Sequence, residues 1–231
     1  MSNDARYPDM SLFLASSVHD MKNSIGILGG TLEKLLRKPS DFSDETKSQM
    51  AFMLFETKRL NNQLIQLLTL YKAGERNAYP FEPQKVSIAV FAQEVQASQA
   101  VLMAAEHIQF EVDIKADLMW YFDEDLVHGV VCTAINNTIR FTRDKIVLRI
   151  AEVDGFIEFR IEDNGFGFPP SILEQGHAID ASVNFNQGNT GLGLYFAHEV
   201  ARLHQHRGQQ GCVMLNNTGL ESGACFILRL P

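Results

Sequence analysis

The sequence predicts an α+β protein in two parts. Residues 1–74 form an antiparallel helical hairpin, and residues 75–231 form a sandwich with helices on one face of a mixed sheet. Three observations lead there. Apolar residues recur at alternating spacings of four and three through the first part. After the polar stretch Glu75-Arg76-Asn77-Ala78-Tyr79-Pro80 the texture changes to short strands alternating with helices. Two glycine-rich strings, Asp163–Gly167 and Gly188–Leu194, then interrupt that second part.

Leu14, Val18, Met21, Ile25, Leu28, Leu32 and Leu35 make an a/d seam, the mark of a helix packed lengthwise on another. The run from Pro39 to Asp44 breaks that helix and offers N-caps for the next. The seam resumes at Met50, Met53, Thr57, Leu60, Leu64, Leu67 and Tyr71, and Lys72-Ala73-Gly74 supplies a stop. One hairpin leaves a flank uncovered, so a homodimer forming a four-helix bundle is expected, with packing on the rest of the chain as the alternative. Gly26, Gly29 and Gly30 cost about 1 kcal/mol each relative to Ala inside a helix. They either soften the first helix or end it early.

In the second part, strands are expected at 84–88, 108–114, 120–122, 145–152, 156–162, 213–215 and 224–230. Helices are expected at 90–106, 124–140 and 193–203. Asp154-Gly155 is a hairpin turn signal between two of the strands.

The formal net charge of −8 argues against a nucleic-acid partner, because a phosphate backbone calls for a basic face. Cys132, Cys212 and Cys225 show no metal or disulfide spacing and fit a reducing compartment. No apolar run approaches the roughly 20 residues of a membrane span, and the first residues lack a signal-peptide layout. The expectation is a cytoplasmic protein without a membrane span. His198, His204 and His206 lie close together, but no carboxylate or cysteine completes a ligand set.

The chemistry concentrates in four strings. Asp163-Asn164-Gly165-Phe166-Gly167 follows a strand directly, so a carboxylate stands where the chain leaves the sheet. There it can accept from an exocyclic amine such as that of adenine, while the glycines admit a flat ligand. Gly188-Asn189-Thr190-Gly191-Leu192-Gly193-Leu194 runs into a helix, and a bare helix start after glycines suits anions. Asn136-Asn137-Thr138-Ile139-Arg140-Phe141-Thr142 ends a helix with an amide oxygen suited to Mg²⁺ and an arginine suited to phosphate. Each string alone is a common structural device; the three in this order are far more specific. Near the N-terminus, His19-Asp20-Met21-Lys22-Asn23 offers an imidazole nucleophile with a carboxylate next to it and an amide one turn on.

Over about Tyr7 to Pro231 the sequence resembles the sensor histidine kinases of two-component signalling. The string from Asn137 to Thr142 is similar to their N box, Asp163 to Gly167 to the G1 box, Gly188 to Leu194 to the G2 box, and His19 to Asn23 to the H box. The resemblance implies a Bergerat-type ATP-binding fold with ATP and Mg²⁺ as cofactors. It places Asn137 on Mg²⁺, Asp163 on adenine, and Gly191 and Gly193 beside the phosphates, with Arg140, Phe141, Gly165, Gly167, Thr190 and Leu192 completing the nucleotide site. Residues 168–187 would be the lid. His19 would take the γ-phosphoryl group with Asp20 as its proton partner, pass it to an aspartate of a response-regulator receiver domain, and use Asn23 in phosphatase action. Asn189, Thr133 and Ser24 depart from the usual boxes. With 18 residues before His19, input is expected from a separate sensor protein, from the lid and linker, or from sequence beyond this chain.

Three rival readings stand beside this one. A histidine phosphotransferase would keep the second part only as a scaffold. An ATPase or serine kinase of the same fold would lack the hairpin motif, and an interaction protein would leave both glycine strings unexplained.

Overall fold

In the computed structural model the described residues are 21, 24–32, 34–36, 42–43, 45–47, 49–50, 52–54, 56–57, 60–61, 64, 81–114, 118–176 and 192–231. The chain divides into two compact units, Met1–Lys72 and Ala73–Pro231.

In the first unit, the described residues among 21–36 and among 45–64 are helical, with 42–43 described between them. Ser43 caps the second helix: its Oγ accepts from the Thr46 backbone N–H at 3.2 Å, and its carbonyl accepts from that of Lys47 at 3.0 Å. The two helices meet at Gly29, where an added Cβ would lie 3.6 Å from the Thr57 methyl and 3.9 Å from Leu54 Cδ1. Gly29 and Leu54 stand at similar distances from the Ser43 break, which is the spacing of an antiparallel hairpin. Gly29 is thus the close-approach residue, whereas Gly26 and Gly30 face open space. Met21, Leu28, Met53 and Leu60 belong to the seam, yet each is about half exposed in the single chain.

The second unit is a two-layer α+β sandwich. Its five-stranded sheet has the order β2-β4-β5-β9-β8, from Gln109–Ile114 (β2), Lys145–Val153 (β4), Phe156–Asp163 (β5), Cys212–Asn216 (β8) and Cys225–Leu230 (β9). The β2–β4 pair is parallel and the others antiparallel. Gln84–Ser87 (β1) and Met119–Phe122 (β3) form a separate antiparallel ribbon, as do Gln205–His206 (β6) and Gln209–Gln210 (β7). Among the described residues four helices accompany the sheets: Ile88–Ala105 (α1), Glu124–Thr138 (α2), Pro170–Gly176 (α3) and Leu192–Leu203 (α4).

Alternation along β5 divides the layers. Ile157, Phe159 and Ile161 are buried with Leu148 and Ile150 of β4 and Leu228 and Leu230 of β9. Phe91 of α1, Phe122 and Phe159 meet edge to face with centroids 5.4–5.6 Å apart; cutting any one to Ala costs about 3–5 kcal/mol. On the other parity, Arg149, Arg160 and Arg229 pair with Glu158 and Glu162, so those two glutamates are covered without being unpaired.

Helix α1 is apolar enough over 18 residues, at a mean hydropathy of 1.2, to cross a membrane by length and composition. A third of that stretch is buried, with Phe91, Val95 and Met103 in the core, while Val90 and Val101 are exposed. Asp123 caps α2 through Oδ1, which accepts from Leu126 N–H at 3.1 Å, while Oδ2 accepts from Glu82 N–H at 3.0 Å. His204 joins the same junction. Its Nε2 accepts from Asp123 N–H at 3.1 Å and its Nδ1 lies 2.7 Å from the Val200 carbonyl, so the neutral ring carries its proton on Nδ1. Asp154 (φ 52°) and Gly155 (φ 77°) make the tight β4–β5 turn that the Asp-Gly pair predicts.

Candidate nucleotide site

Strand parity sets the first feature. Asp163 continues the series Ile157, Phe159, Ile161 at the end of β5, opposite Ile146 of β4. Its carboxylate is therefore delivered to the helix-covered side just where the strand stops, and the residue is 2% exposed. Oδ1 accepts from the backbone N–H groups of Gly165 at 2.7 Å and Ala224 at 3.2 Å. No hydrogen bond among the described residues uses Oδ2. Burial pushes the carboxyl above its ordinary range, and the two N–H donors pull it back only in part.

The chain around Asp163 is held too closely for side chains. A Cβ at Gly165 would collide with the Phe141 carbonyl oxygen, and one at Gly223 with the Asp163 carbonyl. At Gly167 (φ 77°) a Cβ would lie 2.8 Å from the Asn217 amide. The Gly165 contact ties the end of the N-box string to the turn after β5. Arg140 and Phe141 sit in the turn that leaves α2, both exposed, with Phe141 N–H bonded to the Thr138 carbonyl at 2.9 Å.

Asn137 is exposed on the last turn of α2. Against that turn packs Gly193, the second residue of α4: a Cβ there would lie 3.0 Å from Thr133 Cγ2 and 3.3 Å from Asn137 Nδ2. A side chain at 193 would fill the space beside Asn137. The first turn of α4 carries no acidic residue, so its N–H groups and dipole face an anion without competition. Asn136 Oδ1 is buried with no hydrogen-bond partner among the described residues.

These residues fit a Mg²⁺–nucleotide. Asn137 offers an accessible hard-oxygen donor, Gly193 keeps a cradle open beside it, and Asp163 presents a buried acceptor with one oxygen already fixed. Of the residues the sequence singles out for a nucleotide, Asn137, Arg140, Phe141, Asp163, Gly165, Gly167 and Gly193 are described, as is the backbone of Leu192. Thr190 and Gly191 lie outside the described residues, as do His19, Asp20 and Asn23.

Three supporting residues escape sequence reasoning. The Asn164 Oδ1 lies 3.2–3.3 Å from the backbone N–H groups of Arg143, Asp144 and Lys145 and 3.0 Å from Thr142 Oγ1, while its Nδ2 donates to Asp144 Oδ1 at 2.7 Å. Asn217 holds Phe168 by both backbone groups, accepting at 2.7 Å and donating at 3.1 Å. Gly223 is the third. Only Asn164 had a signal, as an amide in a turn.

Residues 122–231 match the family of histidine kinase-, DNA gyrase B- and HSP90-like ATPases. The part of the sandwich that carries Asp163 and Asn137 lies within that segment. Across its whole length the chain is 26% identical to the sensor protein SrrB of Staphylococcus aureus, strain NCTC 8325 / PS 47, and covers 40% of that protein. The SrrB of strain N315 matches at the same identity and coverage. Among solved structures, the chain's fold is shared with the Acinetobacter baumannii histidine kinase AdeS (TM-score 0.57, 19% identity, 92% of this chain and 96% of that one). It is shared too with the nucleotide-free catalytic domain of histidine kinase ThkA (TM-score 0.56, 21% identity, 65% of this chain and 97% of that one). The chain resembles the sensor histidine kinases, and spans less than half of the curated relatives it matches.

Proposed function

We propose that this chain is a histidine kinase core, with residues 1–74 as the dimerisation and phosphotransfer hairpin and 75–231 as the catalytic domain. Asp163 accepts a hydrogen bond from the adenine amine, and Phe141 lies along the base. Arg140 and the N–H groups of Thr190, Gly191, Leu192 and Gly193 hold the phosphates, while Gly165 and Gly167 let the chain lie close to the nucleotide. Asn137 donates its amide oxygen to Mg²⁺, which when bound neutralises charge on the transferring phosphoryl group. A His19 ring nitrogen attacks the γ-phosphorus; the new P–N bond forms as the bond to the β,γ-bridging oxygen breaks and ADP departs. Asp20 orients or takes the proton on the other ring nitrogen.

The phosphoryl group then passes to an aspartate of a response-regulator receiver domain, and Asn23 supports the reverse, hydrolytic traffic. Two copies pair through the apolar hairpin faces, and the reaction takes place in the cytoplasm. A separate sensor protein is one source of input. The observation that supports the reading most is the contact of Gly193 with Asn137 beside the turn that carries buried Asp163.

Calorimetric titration of the full chain with Mg²⁺–ATP tests it against the phosphotransferase rival. Saturable binding that Asn137→Ala and Asp163→Asn each weaken at least about tenfold, a loss of about 1.4 kcal/mol, supports the kinase. A native protein that binds no nucleotide overturns it in favour of a phosphotransferase.

A further inference from the structure

Helices α2 and α4 run antiparallel, and the end of the pair away from the nucleotide site holds a junction that the proposed reaction does not use. Asn137, on the last turn of α2, lies against Gly193 at the start of α4, while Asp123 at the start of α2 is bonded to His204 just past the end of α4. Between the two ends Gly129 faces Phe196, where an added Cβ would lie 3.6 Å from the ring. Packed, rigid elements of this kind carry coupling between sites when one end has two arrangements.

His204 and Asp123 are each 4% exposed, and every polar side-chain atom of the two is bonded. Nδ1 of the ring donates to the Val200 carbonyl at 2.7 Å, and Nε2 accepts from the Asp123 N–H at 3.1 Å. The Asp123 carboxylate accepts from Leu126 N–H through one oxygen and from Glu82 N–H through the other. The Phe81 ring meets the imidazole edge to face, with centroids 4.9 Å apart. Phe81 and Glu82 follow directly on the polar stretch Glu75–Pro80, so the junction fastens the chain where it leads into β1.

This arrangement accepts the neutral ring in one tautomer only. A second proton must go to Nε2, which then points a donor at the Asp123 N–H, another donor. The nearest acceptors at the junction are the Asp123 carboxylate oxygens, already taken by Glu82 and Leu126. Of the charged groups around the ring, Asp123 is the one whose charge bears on it. On its own helix Glu199 and Arg202 pair with each other at 3.1 Å; Glu82 and His206 are exposed, and β7 presents Gln209 and Gln210. Burial holds the ring below its ordinary value, against the Val200 carbonyl and the Asp123 charge, so it is neutral at neutral pH.

We propose that His204 and Asp123 form an acid-released fastening that positions α2 and α4 for the nucleotide. A solvent proton on Nε2 breaks the bond from the Asp123 N–H. The imidazolium takes an Asp123 carboxylate oxygen from Glu82 N–H, and the segment of Phe81 and Glu82 comes free of α2. The slack reaches Gly193 and Asn137 at the other end of the pair, and Mg²⁺–ATP binds more weakly. His204 is thus a positioning residue. Its effect on the nucleotide rests on the kinase reading above; the release of Glu82 does not.

The test follows the ¹⁵N-labelled full chain by NMR as pH falls, without nucleotide, and measures the Kd for Mg²⁺–ATP by calorimetry on either side of the His204 midpoint. The amide resonances of Glu82, Asp123 and Gly193 should move with the midpoint of the His204 ring, below 6.5. They should stand still over that range in His204→Gln, whose amide can make both bonds but takes no proton. Across the midpoint the native Kd should rise about fivefold or more beyond any change in His204→Gln; Asp163 is common to both proteins and cancels. Glu82 or Gly193 amides that ignore the ring's midpoint, the same movement in His204→Gln, or equal changes of Kd in the two proteins would each overturn the proposal. Should His204→Gln not fold, the native amides decide alone. Amides that move as expected in a chain that binds no nucleotide would support the fastening and overturn the kinase reading instead.

Discussion

Replacing Gly193 with Ala separates packing from binding in a single methyl group. The new Cβ would sit 3.0 Å from Thr133 Cγ2 and 3.3 Å from Asn137 Nδ2, so both neighbours must give by a few tenths of an ångström. Alanine gains about 1 kcal/mol of helix propensity over glycine, and modest overpacking costs about 1–3 kcal/mol. The two nearly offset, and at about 2–4 °C per kcal/mol for a domain of this size the Tm should move by only a few degrees. The displaced amide is another matter. Losing a hydrogen bond or ligand contact to a charged group costs about 1.5–3 kcal/mol, which raises the Kd for Mg²⁺–ATP by at least about tenfold. Calorimetric titration alongside scanning calorimetry reads both quantities. Gly208→Ala is the control, because φ is +82° with nothing within 4 Å of an added Cβ. It should cost about 1–2 kcal/mol of stability and leave the Kd unchanged. A Gly193→Ala protein with native Kd and native Tm would refute the assignment of this contact to the nucleotide site.

Three further outcomes are expected. Asp163→Asn should weaken nucleotide binding while making the protein more heat-stable than the native form at pH 8. The gap should close as pH falls, because a carboxyl raised in the folded state contributes stability below its unfolded value and loses it as pH rises through the folded one; unfolding curves at several pH values check this. Asn164→Ala frees three backbone N–H groups and should cost about 1–3 kcal/mol in thermal unfolding. His204, lowered chiefly by burial, holds stability that is full above its ordinary value of 6.5 and is lost as pH falls through its depressed folded value. His204→Gln should therefore be less stable at neutral pH and show a flatter acid limb in denaturant titrations.

Much of the second unit was legible because strand parity and helix periodicity write themselves into composition. The β4–β5 hairpin is an example: alternation marks both strands and Asp154-Gly155 marks the turn. Helix α2 was expected to reach Arg140 but ends at Thr138, since the backbone of Phe141 must come up against Gly165. That is a tertiary demand with no local signal. The short α3, the β6–β7 ribbon and the 3₁₀ turn Leu220–Ser222 are too brief for periodicity to register. The parallel pairing of β2 with β4 is a long-range choice that neither strand states alone.

The site was legible to the same degree. Asp163, Asn137 and the glycines belong to strings whose chemistry suggests itself. Asn164, Asn217 and Gly223 act through contacts with residues 19 or more positions away, visible only once the chain is folded. In the hairpin, the heptad spacing predicted the helices but not that Gly29 would face Thr57 and Leu54.

The central claim is transfer of the γ-phosphoryl group to His19. Incubating the full chain with γ-labelled ATP and Mg²⁺, beside His19→Gln and Asn137→Ala, tests it most directly. The account predicts acid-labile, base-stable label on the native protein and none on either variant. Label that persists in His19→Gln, or its absence from a native protein that binds Mg²⁺–ATP and is supplied with its activating partner, would contradict it.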